Sequence, residues 1–165
     1  MMQPDSSDGD RHFMRIAIDV SRRSREHGRH PFGAIIVAAD GTVLGEAENR
    51  AIGPDADATG HAETEVVRNV SARYSPAQLR SATLYSSGEP CAMCAGALYW
   101  AGIGRLVYGY EESDLLRLTG NHPENPTLAL PCRQVFASGQ RPVEVVGPLL
   151  ADEALTVHDG FWQRS

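Results

Sequence analysis

The sequence predicts an α/β domain with three α/β/α layers, in which helices cover both faces of a mixed sheet. Two observations predict this fold class: helix and strand patterns alternate along most of the chain, and a β-hairpin precedes most of them. The chain has 165 residues, of which 42% are hydrophobic. This is enough for one core, so we expect a single domain over residues 10–165.

The first predicted elements are a helix and a hairpin. Residues 1–9 are polar and acidic and are predicted to be disordered. Helical spacing relates the next four apolar residues, Phe13, Ile16, Ala17 and Val20. Gly28 is a stop signal for this helix. Asp-Gly at 40–41 separates the apolar runs 33–39 and 43–44, which is typical of a hairpin between antiparallel strands.

The middle of the chain alternates between helices and strands. Glycine, proline and aspartate predict a loop over residues 50–59, and Thr59 can cap a helix over Gly60–Tyr74. The next predicted elements are a strand over Ala82–Ser86, a helix over Cys91–Ala101 that starts with a proline, and a strand over Arg105–Tyr110.

The last third carries weaker patterns. The predicted elements are a short helix over 112–118, a loop rich in Pro and Asn over 119–131, a strand over Val143–Val146 and a helix over Asp152–Trp162. Together with the preceding elements they complete a layered α/β domain.

Charge and composition exclude several classes of function. The formal net charge is −6, which disfavours a broad phosphate-binding surface and hence a nucleic-acid substrate. The polar N-terminus does not resemble a signal peptide, so we expect a cytoplasmic protein. The uncharged run Pro90–Gly104 is too short to span a bilayer. Three cysteines are an odd number, which favours a metal or redox role over disulfides.

Two short strings carry the chemistry: His61-Ala-Glu63, and Pro90 followed by Cys91-Ala-Met-Cys94. Both are predicted at the start of a helix. Cysteines three apart there share one face, and the helix N-terminus favours their thiolate form. Two thiolates and one imidazole give zinc three protein ligands and leave a fourth position for water. We therefore predict one Zn²⁺ per chain, bound by His61, Cys91 and Cys94.

Glu63 lies two residues from His61, about 200° further around a helix, so both side chains cannot bind the same ion as ligands. A carboxylate beside a zinc site is instead suited to carry protons for the bound water. Glu63 is thus the predicted catalytic residue of a hydrolytic site.

Other classes of protein use similar strings. A Cys-x-x-Cys pair is also found in thiol oxidoreductases, with His61 and Glu63 then structural. A zinc-stabilised RNA-binding module is a third alternative. A structural zinc knuckle needs a fourth ligand at close spacing, and neither Cys132 nor any histidine provides one.

The order of the two strings resembles that of the zinc-dependent deaminases of the cytidine deaminase superfamily, whose signature is H-x-E followed by P-C-x-x-C. The resemblance covers residues 12–112. It implies a five-stranded mixed sheet between helices, and loss of ammonia from an amino-bearing ring carbon of a small heterocycle.

Within the superfamily the sequence motifs are most similar to those of bacterial guanine deaminases and related purine deaminases. The matching strings are Pro31-Phe-Gly-Ala34, Asp57-Ala-Thr-Gly-His-Ala-Glu63, Glu89-Pro-Cys-Ala-Met-Cys94 and Ala97-Leu-Tyr-Trp-Ala101. By this resemblance, four residues contact the substrate ring: Phe32, Asn49, Ala62 and Trp100. It also implies guanine or a related purine base or nucleoside as substrate, and a homodimer that can exchange its C-terminal segments.

The C-terminal third departs from the guanine deaminase pattern. Asp114 or Glu124 is a candidate second proton carrier, and Phe161 or Trp162, in the tail over 151–165, is a candidate cap on the pocket. These positions select the substrate, so cytosine, an aminotriazine, guanosine and, through the shared zinc strings, tRNA adenosine stay open as alternatives.

Overall fold

A computed structural model describes residues 7–163 of the chain. It contains a five-stranded sheet with the order β2-β1-β3-β4-β5. The strands are β1 (Gly33–Val37), β2 (Val43–Glu48), β3 (Thr83–Gly88), β4 (Arg105–Tyr110) and β5 (Glu144–Val146). β1 is antiparallel to both of its neighbours, whereas β3, β4 and β5 are mutually parallel. The predicted mixed sheet is confirmed.

Seven helices accompany these strands within residues 7–163. They are α1 (Asp8–Glu26), α2 (Ala62–Ser71), α3 (Pro76–Leu79), α4 (Ala92–Ala101), α5 (Glu112–Thr119), α6 (Cys132–Ala137) and α7 (Ala151–Thr156). In this part of the chain, no helix combines the length and the apolar character that crossing a membrane requires.

The helices form two layers because strand residues alternate between the faces of the sheet. Ala34 and Ile36 of β1 face the core that includes α2, α4 and α6. Ile35 and Val37 face the core that includes α1 and α7. The three-layer α/β/α fold is therefore confirmed.

Several predicted boundaries are wrong. α2 begins at Ala62 with His61 as its N-cap, whereas the N–H and hydroxyl of Thr59 both donate to Oδ1 of Asp57. Pro90 precedes the N-cap of α4 rather than starting the helix. α7 ends at Thr156, and turns follow it. The sequence patterns missed the short helices α3 and α6.

The N-terminal helix begins earlier than expected. Ser7 accepts a hydrogen bond from the N–H of Asp10, and Asp10 accepts one from the N–H of Ser7, which forms a capping box. The prediction of disorder is therefore wrong for residues 7–9, and residues 1–6 lie outside the described part of the chain.

One buried ionic network ties α1 to the sheet. Arg105 donates two hydrogen bonds to Asp10, at 2.7 and 2.8 Å, and the Tyr85 hydroxyl donates a third at 2.8 Å. The side chain of Asp10 is only 4% exposed. Burial acts to raise the pKa of Asp10, but the hydrogen bonds from Arg105 and Tyr85 outweigh it and lower the pKa to about 2.

We expect Asp10→Asn to lower the free energy of unfolding by about 3 kcal/mol at neutral pH, because it leaves Arg105 paired only with the more exposed Glu144. A lowered carboxyl pKa stabilises the fold above the ordinary value of 3.8, and this contribution is lost as the pH falls toward 2. Chemical denaturation should show that the variant lacks this pH-dependent part.

The exposed Asp8→Asn is the matched control, since Asp8 lies in the same first turn of α1. Equal unfolding midpoints for the Asp10 and Asp8 variants would contradict the role given to the network.

Candidate metal centre and active-site cavity

Four strand ends meet at one edge of the sheet. β3 and β4 are parallel, so Gly88 and Tyr110 are partners at their carboxyl ends. β1 runs in the opposite direction, which brings Phe32, just before its first residue, to the same edge. Gly33 pairs with Glu48 at the end of β2, so Asn49 follows there too. In sheets of this kind, ligands bind beyond the carboxyl ends of the parallel strands.

The starts of two helices supply the candidate metal ligands at this edge. His61 is the N-cap of α2 and Cys91 is the N-cap of α4, and neither side chain makes a capping hydrogen bond. Their side chains are thus available to each other. Nδ1 of His61 lies 3.6 Å from Sγ of Cys91 and 3.6 Å from Sγ of Cys94, and the two sulfurs are 3.7 Å apart.

These distances fit a tetrahedral zinc site. Zinc bonds of about 2.3 Å to sulfur and 2.0–2.1 Å to nitrogen, at tetrahedral angles, separate two sulfurs by about 3.8 Å and a sulfur from a nitrogen by about 3.6 Å. The observed separations agree, and the sulfurs are far beyond the disulfide bond length of about 2.05 Å. Within residues 7–163, this is the group of side chains that could hold a metal ion.

The protein environment favours the thiolate form of Cys91, which is one of the two thiolates that the metal site needs. Hydrogen bonds from Cys94 and from His61 hold the pKa of the Cys91 thiol well below its usual range, against the effect of burial. The Thr64 hydroxyl lies 3.1 Å from Sγ of Cys94 and can donate to it. Such contacts orient metal ligands.

Glu63 is buried beside this triad of side chains. Burial raises the pKa of Glu63, while His61 and Ser86 act in the opposite direction. The Ser86 hydroxyl lies 2.6 Å from Oε1 of Glu63 and 2.6 Å from the carbonyl oxygen of Gly88. A hydroxyl has one hydrogen, so it can donate to Gly88 when Glu63 is protonated and to Glu63 when it is ionised. Both protonation states of Glu63 therefore have a hydrogen-bond partner.

A cavity of about 500 Å³ opens directly onto His61, Glu63 and Cys91. Four glutamates line it, and within the described residues no Lys or Arg does. Its size is typical of a site for a small molecule. The lining residues that the sequence singled out are Phe32, Asn49, His61, Glu63, Cys91 and Glu124.

Asn49 and Glu124 both line the cavity, and each side chain already has a hydrogen-bond partner in the protein. The amide oxygen of Asn49 accepts a hydrogen bond from the N–H of Ala51 at 2.8 Å, which leaves its amide nitrogen as a donor for a ligand. Oε2 of Glu124 lies 2.9 Å from Nε2 of the buried His30, and both residues line the cavity. This pair joins the loop after α5 to the segment before β1.

The predicted site residues that do not line the cavity include Ala62, Trp100 and Asp114. Ala62 is fully buried in the core between the sheet and α2. Trp100 is 81% exposed and lies nine residues after Cys91, roughly 13 Å away along the axis of α4. Asp114 accepts a hydrogen bond from the N–H of Glu111 and pairs with Arg117 on the outer side of α5.

The C-terminal aromatic residues lie one layer behind the cavity. Trp162 is buried, donates a hydrogen bond to Nδ1 of His158 at 2.9 Å, and contacts the rings of His30 and Phe32. Phe161 contacts His30 and Trp162. Neither Phe161 nor Trp162 lines the cavity, so within residues 7–163 they support its wall rather than cap it.

Sequence reasoning missed Glu112, which lines the cavity together with Leu115 one helical turn later. Burial, with Cys91 and Glu63 as further causes, raises the pKa of Glu112 to about 7. Asp114 lies about 200° around α5 from Glu112, which explains why the neighbouring carboxylate points elsewhere. The available signal was position: Glu112 follows β4 as Cys91 follows the parallel strand β3.

Comparison with known proteins agrees with the site. The cytidine and deoxycytidylate deaminase zinc-binding region matches residues 7–110. A probable cytosine deaminase of Schizosaccharomyces pombe is 42% identical over 162 residues, which cover 98% of this chain and 98% of that protein. A guanine deaminase of Bacillus subtilis is 40% identical over 84 residues, 51% of this chain and 53% of that protein.

The solved structures agree on the fold. A structure from a study of A-to-I editing by tRNA:A34 deaminases matches with a TM-score of 0.64 and 29% identity, covering 89% of this chain and 99% of that chain. The resemblance found in the two short strings is thereby confirmed. The chain belongs to the cytidine and deoxycytidylate deaminase family and is a zinc-binding deaminase.

Proposed function

We propose that this deaminase acts on a free amino-substituted nucleobase, with His61, Cys91 and Cys94 as the zinc ligands. The observation that carries the proposal is the cavity beside this triad, which is lined by four glutamates and, among the described residues, by no Lys or Arg. Phosphate groups are recognised mainly by such cations. A neutral base therefore fits the cavity better than a nucleotide or a tRNA.

The chemistry divides between the metal and the protein. Bound zinc supplies a Lewis acid that makes water nucleophilic near neutral pH. Glu63 takes a proton from the attacking water and returns it toward the leaving amine. Ser86 keeps Glu63 hydrogen-bonded in both of its protonation states.

The ring is held by the cavity walls. Phe32 offers an aromatic surface to the flat base, and Met93 and Leu115 add apolar contacts. The amide nitrogen of Asn49 donates to a ring acceptor, and the carboxyl group of Glu112 binds a ring N–H. Glu124, paired with His30, contributes a further part of the cavity wall.

Cytosine is the first candidate substrate. The Schizosaccharomyces pombe relative named a probable cytosine deaminase matches 98% of this chain. Its match therefore includes the C-terminal third, which departs from the guanine deaminase pattern and provides Glu112 and Glu124 to the cavity.

Guanine is the second candidate. The sequence strings predicted it, and the Bacillus subtilis guanine deaminase shares 40% identity, although over 51% of this chain. A cavity of about 500 Å³ also has room for a bicyclic base. The homodimer with exchange of C-terminal segments and the cytoplasmic location stay predictions.

We expect Glu63→Ala to retain one zinc per chain and to lower kcat by about 10²–10⁴-fold, because it removes the proton carrier and no ligand. Cys91→Ala should lose both zinc and turnover. Metal analysis of the purified proteins, together with ammonia release, checks this. Loss of zinc from the Glu63 variant would show that the carboxylate is a ligand.

We expect a substrate panel to show the highest kcat/KM for cytosine, with guanine next and cytidine, guanosine, an aminotriazine and a tRNA anticodon hairpin below them. Ammonia release is the measurement, and the Glu63→Ala protein is the blank. Since no Lys or Arg among residues 7–163 lines the cavity, the rate should change little with salt. Efficient turnover of the hairpin that falls steeply with salt would contradict the proposal.

We expect Glu112→Gln to lower kcat/KM by about ten- to a hundredfold, because it weakens a charged hydrogen bond to the ring. Asp114→Asn, on the outer side of the same helix, is the matched control. Steady-state kinetics on the preferred base measures both. A larger loss of kcat/KM in the Asp114 variant than in the Glu112 variant would show that Asp114, and not Glu112, is the second carboxylate of the site.

A further inference from the structure

We propose that Glu89 is a positioning residue that sets the substrate-binding wall of the cavity. Its carboxylate holds both ends of one stretch of chain, residues 112–132, here called the wall segment. Oε1 of Glu89 accepts a hydrogen bond from the N–H of Glu112 at 3.0 Å. Oε2 accepts one from the N–H of Cys132 at 2.9 Å.

Both donors are N–H groups at the start of a helix. Glu112 is the first residue of α5 and Cys132 is the first residue of α6. The first N–H groups of a helix have no partner inside the helix and carry the positive end of its dipole. A buried carboxylate that accepts from both forms two charge-assisted hydrogen bonds, which are stronger than neutral ones. Glu89 is itself only 9% exposed.

The wall segment supplies much of the cavity. Glu112, Leu115, Glu124 and Leu128 from this segment line it. The wall segment consists of α5 and the loop over residues 120–131, and loops are ordinarily more mobile than the elements they join. Because both ends of the wall segment are hydrogen-bonded to the same carboxylate, α5 and this loop are held at Glu89.

Glu89 also fixes the wall relative to the metal ligands. Its N–H donates to the carbonyl oxygen of Tyr110 at 2.7 Å, which joins the ends of β3 and β4. Cys91 follows two residues later at the start of α4. The same residue therefore connects the metal-binding helix to the wall that faces it.

This role depends on the reach of the carboxylate as well as on its charge. Glu89→Gln keeps the length but replaces one accepting oxygen by an NH₂ group, which faces a backbone N–H. Glu89→Asp keeps the charge but is one methylene shorter. If Glu89 positions the wall, both variants should raise KM on the order of tenfold and change kcat much less, with one zinc per chain retained.

A second pair of variants tests the donor and leaves Glu89 intact. Cys132→Pro removes the N–H at the first position of α6, where proline is favoured. Pro131, with φ −59° and ψ 138°, already has the conformation that a residue before proline adopts. The Cys132 thiol also forms a hydrogen bond with Glu89, and both variants remove it. Cys132→Ala keeps the N–H, so KM of the proline variant should exceed that of the alanine variant by several-fold.

Hydrogen exchange gives a readout that needs no substrate. We expect faster exchange of the amides of residues 112–132 in Glu89→Gln, and unchanged exchange in β1. Ser75→Ala, which removes the N-cap of the distant α3, controls for a general loss of stability. The proposal rests on the proposed function only for the nucleobase used in the KM measurements. If the wild-type protein does not turn over any of the nucleobases, the exchange test still decides.

Equal KM values for wild type, Glu89→Gln and Cys132→Pro, with unchanged exchange in the wall segment, would overturn the proposal. Wild-type KM in Glu89→Asp with a raised KM in Glu89→Gln would also overturn it, because charge alone would then suffice. If Glu89→Gln does not fold, the comparison of the two Cys132 variants decides.

Discussion

The register of the central sheet is the constraint on which the site depends. Parallel pairing of β3 with β4 and antiparallel pairing of β1 with β3 bring four strand ends to one edge. α2 and α4 begin at this edge, so their first residues meet there, and the distances within the His61, Cys91 and Cys94 triad follow. A change of register by one residue would reverse the facing of every side chain on a strand and separate these groups.

The site has two parts, a metal centre and a cavity wall. The metal centre consists of the candidate ligands His61, Cys91 and Cys94 together with Glu63. These residues are held by helix starts and by Ser86 on β3. The wall comes mainly from residues 112–132, attached through Glu89. The two parts come from different segments of the chain, since the metal centre uses residues 61–94 and the wall uses residues 112–132.

The metal centre could be predicted from the sequence because its geometry is local. Cysteines three apart at a helix start, and a histidine two residues from a glutamate, define their directions within one helical turn. The wall could not, since its residues lie on an irregular loop and on helices whose first residue decides which side chain faces inward. Glu112 instead of Asp114 is such a case. Trp100 and Ala62 show the same problem: their assignment came from resemblance, and helix length and core packing place them elsewhere.

The most direct test of the account is a crystal structure with anomalous data collected at the zinc absorption edge. We expect one anomalous peak per chain, about 2.0–2.1 Å from Nδ1 of His61 and about 2.3 Å from the sulfurs of Cys91 and Cys94, with its fourth ligand a water on the side of Glu63. A Cys91–Cys94 disulfide without a peak, or a protein side chain as fourth ligand, would contradict the assignment of a hydrolytic zinc centre.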